Sequence, residues 1–266
     1  MSPATGKPSL KTILITGASS GIGRALALHY AKNGVRLALA GRNLGRLEDV
    51  AVLCRAKGAE VHSALIDVTS ADIVGRWIHD LDRRFVLDMV IANAGISGGT
   101  GGIVVDELPA QAREIFSVNF EGVLNTIHPV LPAMMRRGQG QLVIMSSLAG
   151  IVPLPGAPAY SASKAAIRYY GEALHSRLKP FGVDVSVVCP GFVESAMTAA
   201  NPFPMPFLLS AEKAARLIAK GLEAKKMRIS FPWPMVLAMR LLLAVPPVLR
   251  GRLLAKVPEK PAKFGS

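Results

Sequence analysis

Short apolar runs alternate with longer stretches of helical spacing along the first 190 residues. A chain written this way has few folds open to it. A helix between consecutive strands forces those strands to run parallel, with right-handed crossovers. Thr12–Thr16 is a β-type run that ends in a glycine-rich turn, followed by a helix over Ile22–Asn33 that stops at Gly34. Val35–Ala40, Val61–Ile66 and Leu87–Ala92 read as strands, separated by helices over Leu44–Ala56 and Ala71–Arg84. The second half continues with a long helical stretch, Pro109–Arg137, interrupted at Pro129–Pro132. A strand follows at Gln141–Met145, then a helix over Ser161–Lys179 and a strand at Val183–Cys189. The pattern predicts an α/β protein with a doubly wound parallel sheet and helices on both faces. No repeat or linker divides it, so one domain is expected over residues 10–228. A disordered arm is expected over 1–9, and an apolar, basic C-terminal extension over 229–266.

Composition narrows the function classes. Hydrophobic residues are 50% and charged residues 18%, which excludes a disordered chain. Cys54 and Cys189 are far apart, so neither a disulfide framework nor a cysteine metal site is expected, and both read as core fillers in a reducing compartment. His29, His62, His79, His128 and His175 form no ligand spacing, so no metal is assigned. The first eleven residues are polar, and the apolar run after them is too short for a secretory signal, so a cytoplasmic location is expected. The net charge of +13 is uneven: residues 201–266 hold 12 Lys+Arg against 3 Asp+Glu. No nucleic-acid motif accompanies it, and a nucleic-acid partner is not expected.

The first glycine turn reads Thr16-Gly17-Ala18-Ser19-Ser20-Gly21-Ile22-Gly23, directly after a strand and opening a helix. Glycines let a backbone turn tightly against a pyrophosphate, and the free N–H groups of a helix start favour negative charge. Its spacing is G-x-x-x-G-x-G rather than G-x-G-x-x-G. In that spacing it resembles the cofactor loop of the short-chain dehydrogenase/reductase family. The resemblance implies a Rossmann-type fold and a nicotinamide cofactor held by Gly17, Ser19, Ser20, Gly21, Ile22 and Gly23. No acid occurs between Gly34 and Leu47, where one would bond the ribose of NAD, whereas Arg42 can meet the extra phosphate of NADP. NADP is therefore expected over NAD. Asp67 and Val68 stand where the family places an acid beside the adenine ring. Asn93-Ala94-Gly95 resembles the family's element after the fourth strand, with Ala92 in place of an Asn. Pro190, Gly191, Val193 and Ser195 lie in a segment similar to its last cofactor signature, with Ser195 where Thr is more usual.

Tyr160 and Lys164 are four residues apart at the start of a helix and share a face. Ser147 precedes Tyr160 by 13 residues and Asn119 precedes it by 41. Asn119, Ser147, Tyr160 and Lys164 resemble the family's catalytic tetrad in order and spacing, and the whole resemblance covers about residues 10–198. It implies that Tyr160 is the acid–base, that Lys164 lowers its pKa and bonds the nicotinamide ribose, and that Ser147 binds the substrate oxygen. Asn119 would hold a water linking Lys164 to solvent. The implied reaction moves hydride between the nicotinamide and a carbonyl or secondary alcohol. A non-catalytic NADP-binding regulator of the same fold is the alternative. The family also implies a homodimer or homotetramer.

Two segments lie outside these motifs. Residues 191–210 form a substrate loop in which Met197, Phe203, Met205 and Phe207 alternate with prolines. The loop reads either as a closing lid or as a rigid wall, and it points to an apolar, lipid-like substrate. Met235–Val245 is apolar nearly all round and should be buried. It reads as part of the core, cleft or a subunit interface, or else as a weak peripheral membrane contact aided by Arg240, Arg250, Arg252, Lys256, Lys260 and Lys263, in either case at the substrate entrance.

Overall fold

The computed structural model of the chain describes residues 11–100 and 109–255. The expected N-terminal arm, residues 101–108 and residues 256–266 lie outside the described residues. Seven parallel strands form one sheet in the order β3-β2-β1-β4-β5-β6-β7. They are β1 (Lys11–Thr16), β2 (Val35–Gly41), β3 (Glu60–Leu65), β4 (Met89–Ala92), β5 (Gly140–Met145), β6 (Val183–Pro190) and β7 (Arg228–Phe231). The order reverses between β1 and β4, so the two halves wind away from each other. A crevice is left at the carboxyl ends of those strands.

Alternation along each strand sends successive side chains to opposite faces. Ile13 and Ile15 of β1 face the same way as their register partners Leu37 and Leu39 of β2. They pack with helices α1 (Gly21–Tyr30), α2 (Leu44–Ala56) and α9 (Ala211–Glu223). Leu14 and its partner Ala38 face the other layer, built from α3 (Ala71–Phe85), α5 (Gly122–Ile127), α6 (Leu131–Arg137) and α7 (Pro158–Leu178). All eight residues of β6 are buried, as a strand covered on both faces requires. Cys54 and Cys189 are both fully buried in apolar clusters.

Three differences from the sequence reading have physical causes. The stretch Pro109–Arg137 breaks around Pro129 as expected, but the part before the break is not one regular α-helix. α4 (Pro109–Phe116) passes through a π-helical turn (Ser117–Glu121) into α5, and the chain breaks at His128–Val130 before α6. Residues 229–231, assigned to the C-terminal extension, belong to β7, which pairs with β6 from Val187↔Arg228 to Pro190↔Phe231. The alternation of Ile229 and Phe231, both buried, is a strand signal hidden in a longer apolar run. Finally, α10 (Trp233–Ala244) is not buried all round, because only one of its sides meets the protein. Met235, Val236 and Met239 pack on Leu148, Val187 and Cys189, while Trp233, Leu237 and Leu241 are exposed. Val245 and Pro246 separate α10 from α11 (Pro247–Leu254). The short α8 (Ala196–Ala199) lies in the substrate loop.

The edge strand β7 is fastened to α7 by charge. Glu172 accepts from Arg228 Nε at 2.7 Å and pairs with its terminal nitrogen at 2.6 Å, a two-pronged contact. Arg168 approaches the same carboxylate at 3.4 Å and donates from Nε to Gly150 O at 3.2 Å. Because α10 follows β7 after one residue, this network also fixes where α10 lies. Removing the carboxylate leaves two guanidinium groups facing each other. Loss of one partner from a fully buried pair costs about 3–5 kcal/mol. Arg228 is 30% exposed, so a smaller loss is expected here. Glu172→Ala is expected to lower the unfolding free energy by about 2–3 kcal/mol, measured by urea denaturation. An unchanged midpoint would show that the network does not hold β7.

Candidate active site

The crevice is a cavity of about 500 Å³, and its floor is set by the turns after β1 and β4. Thr16 Oγ1 accepts from Asn93 N at 3.1 Å and Ala94 N at 3.2 Å. Asn93 Nδ2 donates in return to Thr16 O at 2.9 Å and Gly17 O at 3.2 Å. Gly17 sits at φ +65°, and a Cβ there would lie 2.8 Å from Ala94 Cα, so only glycine fits between the two turns. The loop then rises into α1, whose start carries no side-chain cap and no acid in its first turn. Open N–H groups at that point suit a phosphate.

Of the residues that the sequence assigns to a cofactor, all but Gly23 line this cavity. Gly17, Ser19, Ser20, Gly21 and Ile22 do so from the glycine turn, and Asn93, Ala94 and Gly95 from the turn after β4. Gly23 instead packs beneath the loop, where a Cβ would fall 2.2 Å from Gly17 O. A side chain at Gly23 would displace the backbone of Gly17, so this glycine shapes the loop. At one end of the cavity Arg42, exposed, is joined by Arg46 in the first turn of α2. Arg46 escaped the sequence reading because Arg42 lies before α2 begins, so no helical spacing links the two. Asn43 caps α2 by accepting from Arg46 N at 2.9 Å. Asp67 and Val68 line the wall beside them. Burial pushes the Asp67 carboxyl up, but two hydrogen bonds from Thr69 and the nearby Arg42 charge outweigh it and leave it below its ordinary value. Pro190, Gly191, Val193 and Ser195 close the cavity from the opposite side. A looped cradle, an uncapped helix start and two arginines fit an elongated, phosphate-bearing dinucleotide.

Ser147, Tyr160 and Lys164 line the other end together. Tyr160 and Lys164 come from the first two turns of α7, and Ser147 from the turn after β5. Ser147 Oγ accepts from Ala149 N at 3.1 Å and makes a hydrogen bond with Tyr160. Neighbouring Ser146 is spent elsewhere, since its Oγ donates to Lys164 O at 2.7 Å and anchors α7 to the end of β5. Lys164 is 4% exposed, and its Nζ donates to Met145 O at 2.9 Å. Burial pushes the Lys164 ammonium down to about 8. Burial also pushes the Tyr160 hydroxyl up, against a smaller downward pull from Ser147. The sequence reading expected Lys164 to lower the Tyr160 pKa. Among the protein's own groups, burial decides instead, and the ammonium lies 6.0 Å from the tyrosine ring centroid.

Asn119 is fully buried in the π-helical turn and does not line the cavity. There Gly122 N–H donates to Ser117 O, one residue further back than in an α-helix. Asn119 Oδ1 accepts from Ile96 N at 2.8 Å, and Nδ2 donates to Ile96 O at 2.9 Å and Ser163 Oγ at 3.1 Å. Ser163 Oγ in turn donates to Tyr160 O at 2.8 Å. Both ends of the Asn119 amide are therefore engaged with protein. Ser163 was missed, although it stands between Tyr160 and Lys164 in the sequence.

The rest of this end is apolar. Ile96, Leu154, Met197 and Phe203 line it together with Met235 and Met239, one turn apart on α10. Met205 and Phe207, expected to join them, do not. Met205 Sδ accepts from Asn201 at 3.4 Å, and Phe207 is exposed. The base of the substrate loop is clasped by Glu194 N to Leu209 O at 2.9 Å and Leu209 N to Phe192 O at 3.1 Å. Among the described residues no group of three His, Cys, Asp or Glu is placed to hold a metal ion.

A family model described as short chain dehydrogenase matches residues 11–203. An uncharacterized oxidoreductase of Myxococcus xanthus is 42% identical over 240 residues, covering 90% of this chain and 94% of the relative. Among solved structures, a short chain dehydrogenase/reductase from Burkholderia phymatum in complex with NAD superposes with a TM-score of 0.80. It is 24% identical, with 98% of this chain and 100% of that one covered. A short-chain dehydrogenase from Sphingobium yanoikuyae in complex with NADPH gives 0.78 at 23% identity, with 97% and 98% covered.

The clamp on Ile96 is testable by itself. Asn119→Leu keeps the volume but strands a buried N–H and C=O, each worth about 1–3 kcal/mol when left unpaired. The variant is expected to lose about 2–4 kcal/mol of unfolding free energy in a urea titration. A loss under about 0.5 kcal/mol, the scatter of ordinary surface substitutions, would show that the amide is not the clamp.

Proposed function

The chain belongs to the short-chain dehydrogenase/reductase family and is an NAD(P)-dependent oxidoreductase; from that premise we propose that it is an NADPH-preferring reductase of apolar ketones, with Tyr160 as the proton donor. The observation that carries the reading is the layout of the cavity. Ser147, Tyr160 and Lys164 meet an apolar end, and a glycine cradle leads away from them to Arg42 and Arg46. The bound nicotinamide supplies the hydride. Everything else falls to the protein. The glycine turn and Asp67 orient the dinucleotide. Ser147 donates a hydrogen bond to the substrate carbonyl, where charge grows as the bond to hydrogen forms. Tyr160 delivers its hydroxyl proton to that oxygen. A tyrosine held above its ordinary pKa stays protonated at neutral pH, which suits the direction of reduction. Lys164, with a value of about 8, is still mostly charged at pH 7 and favours the phenolate left behind. Asn119 is a positioning residue that acts through Ile96 and Ser163.

Preference for NADPH is supported by two arginines where the 2′-phosphate would lie and by the missing acid between Gly34 and Leu47. The apolar substrate is supported by Leu154, Phe203, Met235 and Met239 around the far end. Both points are tested by following cofactor consumption against ketones of graded chain length. Rates with NADPH are expected to exceed those with NADH, and kcat/KM to rise with chain length. Arg42→Ala is expected to raise KM for NADPH about tenfold, equivalent to roughly 1.4 kcal/mol, and to leave NADH nearly unchanged. Equal losses with both cofactors would remove Arg42 from the phosphate site, and activity confined to short polar carbonyls would remove the apolar substrate.

A further inference from the structure

α10 presents two apolar sides, and the protein covers one of them. Residues on a helix advance about 100° apiece. Met235 and Met239 share the side that lines the cavity, and Trp233, Leu237 and Leu241 share the opposite side. That outer side faces solvent, with Trp233 74%, Leu237 49% and Leu241 63% exposed. The exposure continues on α11 at Val248, Leu249 and Leu253. Single exposed apolar residues are ordinary, but two consecutive helices that expose them in series mark a surface with a partner.

Charge selects the partner. From Ala224 to Ala255 the chain contains no Asp or Glu, while Arg240, Arg250 and Arg252 lie among the exposed apolar residues. Arg240 falls within about 20° of Trp233 around the helix, at the edge of the outer stripe. A long cationic side chain there can keep its head at a phosphate layer while the stripe beside it leaves water. A second copy of the chain would bring the same arginines face to face, and like charges across an interface are unfavourable. A bilayer with anionic headgroups offers apolar depth and negative charge together. Among the described residues no helix is long and apolar enough to cross a membrane, so the pair would lie in the interface plane.

We propose that α10 and α11 form a face that binds the surface of an anionic lipid bilayer. Trp233, Leu237 and Leu241 sit at the headgroup boundary, and the three arginines meet lipid phosphates. The inner side of α10, with Met235 and Met239, then separates the bilayer from the cavity. The face stands independently of which ketone is reduced.

The test is co-sedimentation of the full chain with vesicles of equal parts phosphatidylglycerol and phosphatidylcholine, at low and high salt. Binding is expected at low salt, with a several-fold loss at high salt and little binding to pure phosphatidylcholine. Arg240→Gln with Arg252→Gln is expected to lower the partition constant roughly tenfold or more. Trp233→Ser, Leu237→Ser and Leu241→Ser combined are expected to abolish binding. None of these three lines the cavity, so turnover of a water-soluble ketone should persist and report that the variant is folded. No binding of the parent chain at low salt overturns the proposal. So does binding that the triple variant retains, which would place the contact elsewhere. A parent chain that ignores vesicles but sediments as a dimer, made monomeric by the triple variant, would assign the face to subunit contact instead.

Discussion

Two turns tied together at the switch point of the sheet hold the whole site in place. Thr16 and Gly17 at the end of β1 accept four hydrogen bonds from Asn93 and Ala94 at the end of β4, at a spot where Gly17 leaves no room for a side chain. The tie fixes the glycine loop on one side and directs the chain after β4 on the other. Two residues past Ala94 that chain reaches Ile96, whose N–H and C=O are both held by Asn119. Asn119 bonds Ser163, and Ser163 bonds the backbone of Tyr160. One run of short contacts therefore connects the dinucleotide cradle to the residue proposed to move the proton. Gly95 lies inside it, so close that a Cβ would press on Asn119 Oδ1 at 3.1 Å and Lys164 Nζ at 3.3 Å.

Burial at the reacting end acts on both titrating groups, in opposite senses. It raises Tyr160 and lowers Lys164 to about 8, so each moves toward its neutral form. A buried ammonium that must stay charged needs acceptors, and Met145 O supplies one at 2.9 Å. The same burial strengthens any hydrogen bond made to a growing oxyanion, because little water is left to compete. The site thus trades ease of ionisation for strength of interaction, which suits a group that gives up its proton only when the substrate oxygen becomes basic.

Much of this was legible in the sequence because backbone geometry dictated it. The glycine turn, the Tyr160–Lys164 spacing and the alternation of strands and helices each follow from local rules, and the structure brings Ser147, Tyr160 and Lys164 to one wall. What escaped depended on tertiary contact. The π-helical turn has no periodic signature, so the sequence does not report that the Asn119 side chain turns to Ile96 and Ser163. The packing of Gly23 beneath Gly17, where a Cβ would fall 2.2 Å from the Gly17 carbonyl oxygen, is something no sequence rule reports. β7 was concealed because Ile229 and Phe231 are followed after one proline by an apolar helix. Which side of α10 the protein itself covers was not legible, since composition alone cannot tell one side of an all-apolar helix from another.

The central claim is that the wall formed by Ser147, Tyr160 and Lys164 completes a hydride transfer that the dinucleotide begins. It is tested most directly by following deuterium from 4-deuterated NADPH into the alcohol formed from a long-chain ketone. The parent chain and Tyr160→Phe are compared, with cofactor affinity measured in parallel by calorimetry. The account predicts labelled alcohol from the parent, and at least ~10²-fold slower labelling from the variant with NADPH affinity largely kept. Labelling by Tyr160→Phe at near the parent rate would contradict it.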